Sequence, residues 1–398
     1  MAPADPGPQE PEGTLMVFST ETFSSADRQH MRAALALAAR GLGRVWPNPA
    51  VGCVLVSADG RVLSRGWTAP GGRPHAERIA LERAGDAAQG AVAYVTLEPC
   101  SHHGKEPPCA DALIAAGVSR VVVAMEDPDT RVNGRGVQRL REAGIRVDVG
   151  LFEDEARDLN LGFVLNRTQG RPLVTLKIAS TLDGRVALSS GVSKWITGPQ
   201  ARAAGQMLRA DHDAIAVGSG TVLADDPALT CRLPGLEDRS PVRVILDSRA
   251  RLPADSVLAR TARDTPVWLY SAPGVGAGPL EALGVRVVPT EPDGDSGRPC
   301  VRAVLADLAR SGITRLLVEG GPRLHAAFLE AGVVDRIVWF RSPSLVGGDG
   351  LSCVAPLALA SLAGRPFFEL VRTHPVGTDR VEHYAGARVS RRQPPLWE

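Results

Sequence analysis

Short apolar strands alternate with amphipathic helices along most of this 398-residue chain. That alternation restricts the fold to α/β architecture, with largely parallel sheets covered by helices. From Ala26, DRQHMRAALALAARGLG has helical spacing, with Asp27 as a candidate N-cap and Gly41 at its end. Ala50–Ser57 reads as a strand, RVLSRGW as its return strand, His75–Gly85 as a helix and AVAYVTL as a buried strand. CADALIAAG, RVVVAM, GVQRLREAG and IRVDVG continue the alternation, and LFEDEARDLNLGFVLNRTQ reads as one helix leading out of the unit. Gly170-Arg171-Pro172 then punctuates the chain, and a second series runs from PLVTLKIA to DRIVWFRSP. The reading is an unstructured leader over 1–25, a first unit over 26–170 and a second over 171–398. Ala272–Gly278 and Glu291–Arg298 read as surface loops.

Composition narrows the function. The net charge of +1 and an aromatic content of 4% argue against the basic, aromatic-lined channel that single-stranded nucleic acid requires. No run approaches the ~18 apolar residues of a membrane helix. Met1–Gln9 has three prolines and no basic cluster, so a cytoplasmic protein without membrane or nucleic-acid partners is expected. Six cysteines are too sparse for a disulfide scaffold. Of 45 basic side chains only Lys105, Lys177 and Lys194 are lysine. All three fall within the motif segments below, where a compact ammonium and a planar guanidinium are not equivalent.

The strongest chemical signal is Pro74-His75-Ala76-Glu77 followed by Pro99-Cys100 and then Cys109. One imidazole and two thiolates give zinc three protein ligands and leave a fourth position for water. A purely structural zinc site usually has four, and no fourth is evident. Cys109 opens a helix, where the positive dipole end favours thiolate. Histidine, glutamate and Pro-Cys in this order form the signature of zinc deaminases, in which the glutamate shuttles protons and does not ligate the metal. The second cysteine usually follows after two residues. Here eight intervene, inserting Ser101–Pro108 beside the metal. His102 and Lys105 in that loop suit a phosphate or a pyrimidine carbonyl, or else form a solvated loop. Asn48, between two prolines, can read a base edge as donor and acceptor. Cys53 reads as a core residue within its strand.

NPAVGCVLV, RPHAE, VTLEPCSHHGKEPPC and AMEDPDTRVNGRG resemble the deaminase half of the RibD family of bifunctional riboflavin-biosynthesis enzymes. The resemblance implies a cytidine-deaminase-like α/β/α unit with zinc on His75, Cys100 and Cys109. It implies Glu77 as acid/base and substrate contacts from Asn48, His102 and Lys105. The substrate so implied is a diaminopyrimidinone carrying ribose phosphate. Trp67-Thr68-Ala69 stands where the family often has a histidine, and no role is assigned there.

The second series holds LKIASTLDGRVA, SKWITG, LRADHDAIAVGSGTVLADDPALTCR and LLVEGGPRLHAAF. A Gly-Gly turn opening a helix offers free amides to a pyrophosphate, although Gly-Gly after a strand is often only a tight turn. No G-x-G-x-x-G stands in a strand–helix setting, which disfavours a Rossmann dehydrogenase. These segments resemble the family's reductase half, implying a dihydrofolate-reductase-like fold and NADPH as hydride donor. By that pattern Lys177, Asp183 and Glu319 lie near the ribose being reduced, with Lys177 and Asp183 catalytic. Ser193, Arg209 and Arg232 bind substrate, the arginines gripping its phosphate. Ala179, Trp195, Thr221, Asp225, Ser248, Gly320 and Gly321 line the cofactor. Asp225 and Asp226 alternatively cap a turn, and Arg209 is alternatively a surface charge. After Leu246, Ser248 and Arg249 suit a 2′-phosphate whereas Asp247 suits a 2′-hydroxyl. Gln206 replaces a family histidine and is left unassigned. The resemblance implies a homo-oligomer, dimer or tetramer, acting on a small phosphorylated pyrimidine.

Overall fold

The computed structural model describes residues 23–102, 107–129, 132–276, 278–294 and 297–387. Lys105 lies outside them. The first unit runs α1 (Ser25–Ala39), β1 (Gly52–Val56), β2 (Val62–Trp67), α2 (Ala76–Ala84), β3 (Val92–Val95), α3 (Cys109–Ala115), β4 (Arg120–Val123), α4 (Arg135–Glu142) and β5 (Arg146–Val149). Its five strands form one sheet in the order β2-β1-β3-β4-β5. β1 is antiparallel to both neighbours, and β3, β4 and β5 are parallel. β1 is buried along its whole length, as a strand with helices on both faces must be. Cys53 is fully buried there.

Two details depart from the sequence reading. The N-cap of α1 is Ser24, and Asp27 is the third helical residue of a reciprocal capping box. Asp27 is also drawn inward by Tyr94 and Arg120, at 2.7 Å each, which burial of so short a side chain requires. The expected single helix after β5 is two, α5 (Glu153–Leu159) and α6 (Leu161–Gln169). Asn160 separates them because its side-chain amide bonds Ala50, accepting from its N–H and donating to its carbonyl at 2.9 Å each.

The second unit is built on a nine-stranded sheet. Its elements are β6 (Leu173–Ser180), β7 (Arg185–Ala187), α7 (Pro199–Ala210), β8 (Ala214–Gly218), α8 (Ser219–Asp225), β9 (Val242–Leu246), α9 (Val257–Arg260), β10 (Val267–Ser271), α10 (Gly278–Ala282), β11 (Arg286–Pro289), α11 (Val301–Arg310), β12 (Arg315–Val318), α12 (Pro322–Glu330), β13 (Arg336–Arg341), β14 (Leu351–Ser352), β15 (Phe368–Val376) and β16 (Asp379–Gly386). The order is β11-β10-β9-β8-β12-β6-β13-β16-β15, parallel from β11 to β13 and antiparallel beyond. β7 and β14 pair separately. The central strands β8, β12 and β6 carry Ile215, Leu316 and Val174, all fully buried.

Candidate active sites

The first site forms where the ends of β2 and β3 meet the first turns of α2 and α3. His75 is the N-cap of α2 and Cys109 the first residue of α3. Cys100 and Cys109 Sγ lie 3.8 and 3.4 Å from His75 Nδ1. All three ligand atoms fall within 4.8 Å of one another, and no other cluster among the described residues meets that condition. An imidazole and two thiols converging through one atom each suit zinc. The Cys109 N–H donates to Cys100 Sγ at 3.3 Å. Contacts with Cys109 and with His75 hold the Cys100 thiol down at about 4 despite its burial. Cys109 shifts upward, because its neighbour Cys100 ionises first and burial opposes a second charge. Glu77 is only 3% exposed, and burial pushes its carboxyl up to about 7.

Asn48, His102, His75, Glu77 and Cys100 line one pocket. His102 Nδ1 is buried with no protein partner. A residue the sequence reading passed over, Glu98, secures this pocket. Its carboxylate accepts four backbone N–H groups, from Asp127, Gly134, Gly136 and Val137, at 2.8 to 3.1 Å. The loop ending in α4 is thereby tied to the Pro99-Cys100 segment. A Cβ at Gly136 would lie 1.9 Å from Pro99 O, so this approach needs glycine. The signal was present as Leu97-Glu98-Pro99-Cys100, where Glu98 stands next to the motif without belonging to it.

The second site lies at the carboxyl ends of β6, β8, β9 and β12, where open α/β sheets bind ligands. β6 and β12 run parallel with Leu176 opposite Val318, which brings Lys177 and Glu319 together. Lys177 Nζ is 3.9 Å from Glu319 Oε2. Arg209 Nε and Nη2 donate to Glu319 Oε1 and Oε2 at 2.8 and 2.9 Å, and Nη1 donates to Thr230 O at 3.0 Å. The fork of Arg209 is filled by Glu319. Three of the five Arg209 N–H donors are thereby taken by protein acceptors, which leaves two for the phosphate grip expected of this residue. Burial would raise the Glu319 carboxyl, but the Arg209 and Lys177 cations overcome it and hold it at about 2. Gln206 accepts the Arg232 N–H at 3.0 Å, which gives the substituted position a structural task.

Asp183 is not joined to this cluster by any described hydrogen bond. It is exposed and accepts from the Thr181 hydroxyl and the Gly347 N–H at 2.5 and 2.8 Å. Those bonds hold it at about 2 and pin the segment before β14. Thr221 Oγ1 accepts the Gly321 N–H at 3.2 Å, so the starts of α8 and α12 adjoin. Their N-caps, Gly218 and Gly321, offer no side-chain acceptor, which suits a pyrophosphate lying across two helix N-termini. Gly320 precedes the cap of α12, and Ala179 lies on β6. Asp247 is 1% exposed and is held by Arg251 Nε at 3.1 Å. It is therefore not offered to a ribose hydroxyl. Ser248 follows it, half-buried. Trp195 is exposed with the Arg202 guanidinium 4.4 Å from its ring centroid. Ser193 is half-buried and Asp225 exposed. It is Asp226, not Asp225, that accepts the Val257 N–H at the start of α9.

No helix among the described residues is long and apolar enough to cross a membrane. Residues 24–125 match the family described as the cytidine and deoxycytidylate deaminase zinc-binding region, and residues 172–381 match the RibD C-terminal domain. The riboflavin biosynthesis protein RibD of Escherichia coli K12 is 42% identical over 91% of this chain and 100% of its own length. That of Aquifex aeolicus is 42% identical over 84% and 92%. The solved structure of Acinetobacter baumannii RibD aligns with TM-score 0.81 at 38% identity, over 91% of this chain and 99% of that one. The Thermotoga maritima deaminase/reductase aligns with TM-score 0.80 at 36% identity and the same coverage. A zinc-binding deaminase unit thus precedes a reductase unit of the NAD(P)-binding kind, and the chain belongs to the RibD family of bifunctional riboflavin-biosynthesis enzymes.

Proposed function

We propose that the first site hydrolyses the 2-amino group of 2,5-diamino-6-ribosylamino-4(3H)-pyrimidinone 5′-phosphate. The second then reduces the ribose of 5-amino-6-(5-phosphoribosylamino)uracil to ribityl with NADPH. The observation that carries this reading is the convergence of His75, Cys100 and Cys109 beside the buried Glu77, in one pocket with Asn48 and His102. Zinc held by the three ligands supplies Lewis-acid activation of water. Glu77 takes the proton of the attacking water and returns it to the departing amine. Asn48 orients the pyrimidine through its amide, and His102 offers its unpartnered Nδ1 to the substrate. Lys105 contacts substrate from the same loop.

In the second site NADPH supplies the hydride. Lys177 stabilises the charge that develops at the ribosyl nitrogen and oxygen, with Glu319 fixing its ammonium and Arg209 fixing Glu319. Asp183 acts by holding the segment beside the ribose. Ser193 and Arg232 hold substrate, while Ala179, Trp195, Thr221, Asp225, Ser248, Gly320 and Gly321 line the cofactor. The burial of Asp247 against Arg251 supports NADPH over NADH, because the carboxylate that would favour a 2′-hydroxyl is already paired. The reading divides the chain after residue 170 and places a cytoplasmic homo-oligomer, dimer or tetramer. Exposed Leu362, Phe367 and Leu370 beside the edge strand β15 support assembly. Incubation with the diaminopyrimidinone substrate should release ammonia without NADPH, and with NADPH should yield the ribityl product by mass. Absence of ammonia refutes the deaminase half, and equal efficiency with NADH refutes the phosphate-selective cofactor pocket.

A further inference from the structure

Helix α6 presents different faces to the two units. Asn166 Nδ2 donates to Ala309 O and Ile313 O, both at 3.2 Å. A Cβ on Gly162 would lie 2.3 Å from Thr314 O, so the helix seats directly on the reductase unit. One residue further round, Phe163 and Arg167 line the deaminase pocket together with Glu77, Cys100 and His102. The i,i+4 spacing stacks these two side chains. The guanidinium carbon of Arg167 lies 5.2 Å from the Phe163 ring centroid, which sets the plane of the cation. Its Nε is 3.6 Å from Asp129 Oδ2, beyond hydrogen-bond range. No described residue accepts from its terminal Nη groups, and the side chain is 32% exposed. His102 lines the same pocket, and its Nδ1 is buried without a hydrogen-bond partner. The terminal Nη groups of Arg167 and the Nδ1 of His102, neither with a hydrogen-bond partner among the described residues, thus belong to residues that line one pocket with the metal ligands His75 and Cys100.

We propose that Arg167 reads the 5′-phosphate of the deaminase substrate and so selects the phosphorylated compound over its nucleoside. The assignment rests on the deaminase reading above, whose substrate carries a single anionic group, its phosphate. Guanidinium matches phosphate through two parallel N–H···O bonds. Asp129 sits close enough to Nε to orient the group and too far to occupy the fork. Because the reductase unit seats α6, the specificity of the first reaction depends on a helix held by the machinery of the second.

The test uses the full-length, zinc-loaded enzyme. Ammonia release is measured from the ribosylaminopyrimidine 5′-phosphate and from the dephosphorylated nucleoside, for wild type, R167M and R167K. Reduction of the aminouracil ribose phosphate serves as a folding control. R167M should raise KM for the phosphorylated substrate about 10–100-fold, the range of a charge-assisted contact. Its kcat should stay within about twofold, and its KM for the nucleoside should not change. R167K, which keeps the charge but not the fork, should fall between. An unchanged KM for the phosphorylated substrate, or an equal rise for both compounds, overturns the assignment. So does lost reduction, which would mark a displaced helix. If the wild type releases ammonia from neither compound while still reducing, the deaminase reading itself fails and this assignment falls with it.

Discussion

Arg209 and Glu319 grip each other through two near-parallel hydrogen bonds of 2.8 and 2.9 Å, and Lys177 approaches the same carboxylate from the next strand. Removing a buried partner leaves the other charge uncompensated, at a cost of about 3–5 kcal/mol. Arg209→Met should therefore lower stability by about 3 kcal/mol, read by urea denaturation. It should depress reduction strongly, while zinc content and deamination persist in the folded fraction. Unchanged reduction would show that Glu319 needs no second cation.

Cys100→Ser or Cys109→Ser removes a soft ligand and should release zinc, with loss of ammonia production. Full metal content in either variant would displace the ligand assignment. Glu77→Gln keeps the shape but cannot shuttle a proton. It should retain zinc, lose deamination by about 10³-fold, and still reduce supplied aminouracil ribose phosphate. Lys177→Met should do the reverse. Metal analysis and the two separate activity assays distinguish these cases.

Glu98→Gln replaces two acceptor oxygens by one acceptor and one amide donor, facing four backbone N–H groups. At least one N–H loses its partner, at a cost of about 1–3 kcal/mol. The loop that closes on Pro99 should loosen. Deamination should fall more than reduction, and hydrogen exchange in Asp127–Val137 should accelerate. Unaltered exchange there would mean that the loop is held by other contacts.

His212 is 2% exposed. It bonds Leu208 O through Nδ1 at 2.7 Å and Thr175 Oγ1 through Nε2 at 3.0 Å. Burial lowers its pKa from 6.5 to about 3. The unfolded chain thus binds a proton below pH 6.5 that the folded chain refuses. The stability contribution is present above pH 6.5 and is lost as pH falls toward 3. Between pH 7 and pH 5 His212 should account for a loss of about 2 kcal/mol. His212→Gln should be less stable than wild type at pH 7 but lose less on acidification. Parallel pH–stability curves for the two proteins would contradict this.

The metal centre was legible in the sequence because it depends on residue types. A histidine, a glutamate and a cysteine at helix starts with a second cysteine in the loop between them are scarce and chemically specific, and Cys100 and Cys109 do meet His75. The alternation of strands and helices was legible for the same reason wherever strands are apolar throughout. The hairpin β15–β16 was not. Its strands FELVRTHPV and DRVEHYAG are dense in charge and half-exposed, so no apolar run announces them. Gly377, with φ of 62°, is the one local turn signal. The sequence offers Asp27 as a cap because it precedes the helical run, but Ser24, three residues upstream, accepts its N–H and takes the role. The fork between Arg209 and Glu319 joins residues 110 positions apart. Only the tertiary fold, which lays helix α7 beside the end of β12, places them together, and a list of candidate phosphate ligands cannot reveal that one of them also grips a carboxylate.

The position of β6 bears on how the chain is made. It leads the second unit in sequence yet lies between β12 and β13, pairing with both. β12 begins roughly 140 residues later. At a synthesis rate of about 5–20 residues per second, β6 waits about 7–28 s for its first neighbour. Through that interval Leu173, Val174 and Leu176, all fully buried in the finished protein, are exposed on a ribosome-bound chain. The strand that anchors the reductase is also the nascent chain's longest-standing invitation to a chaperone.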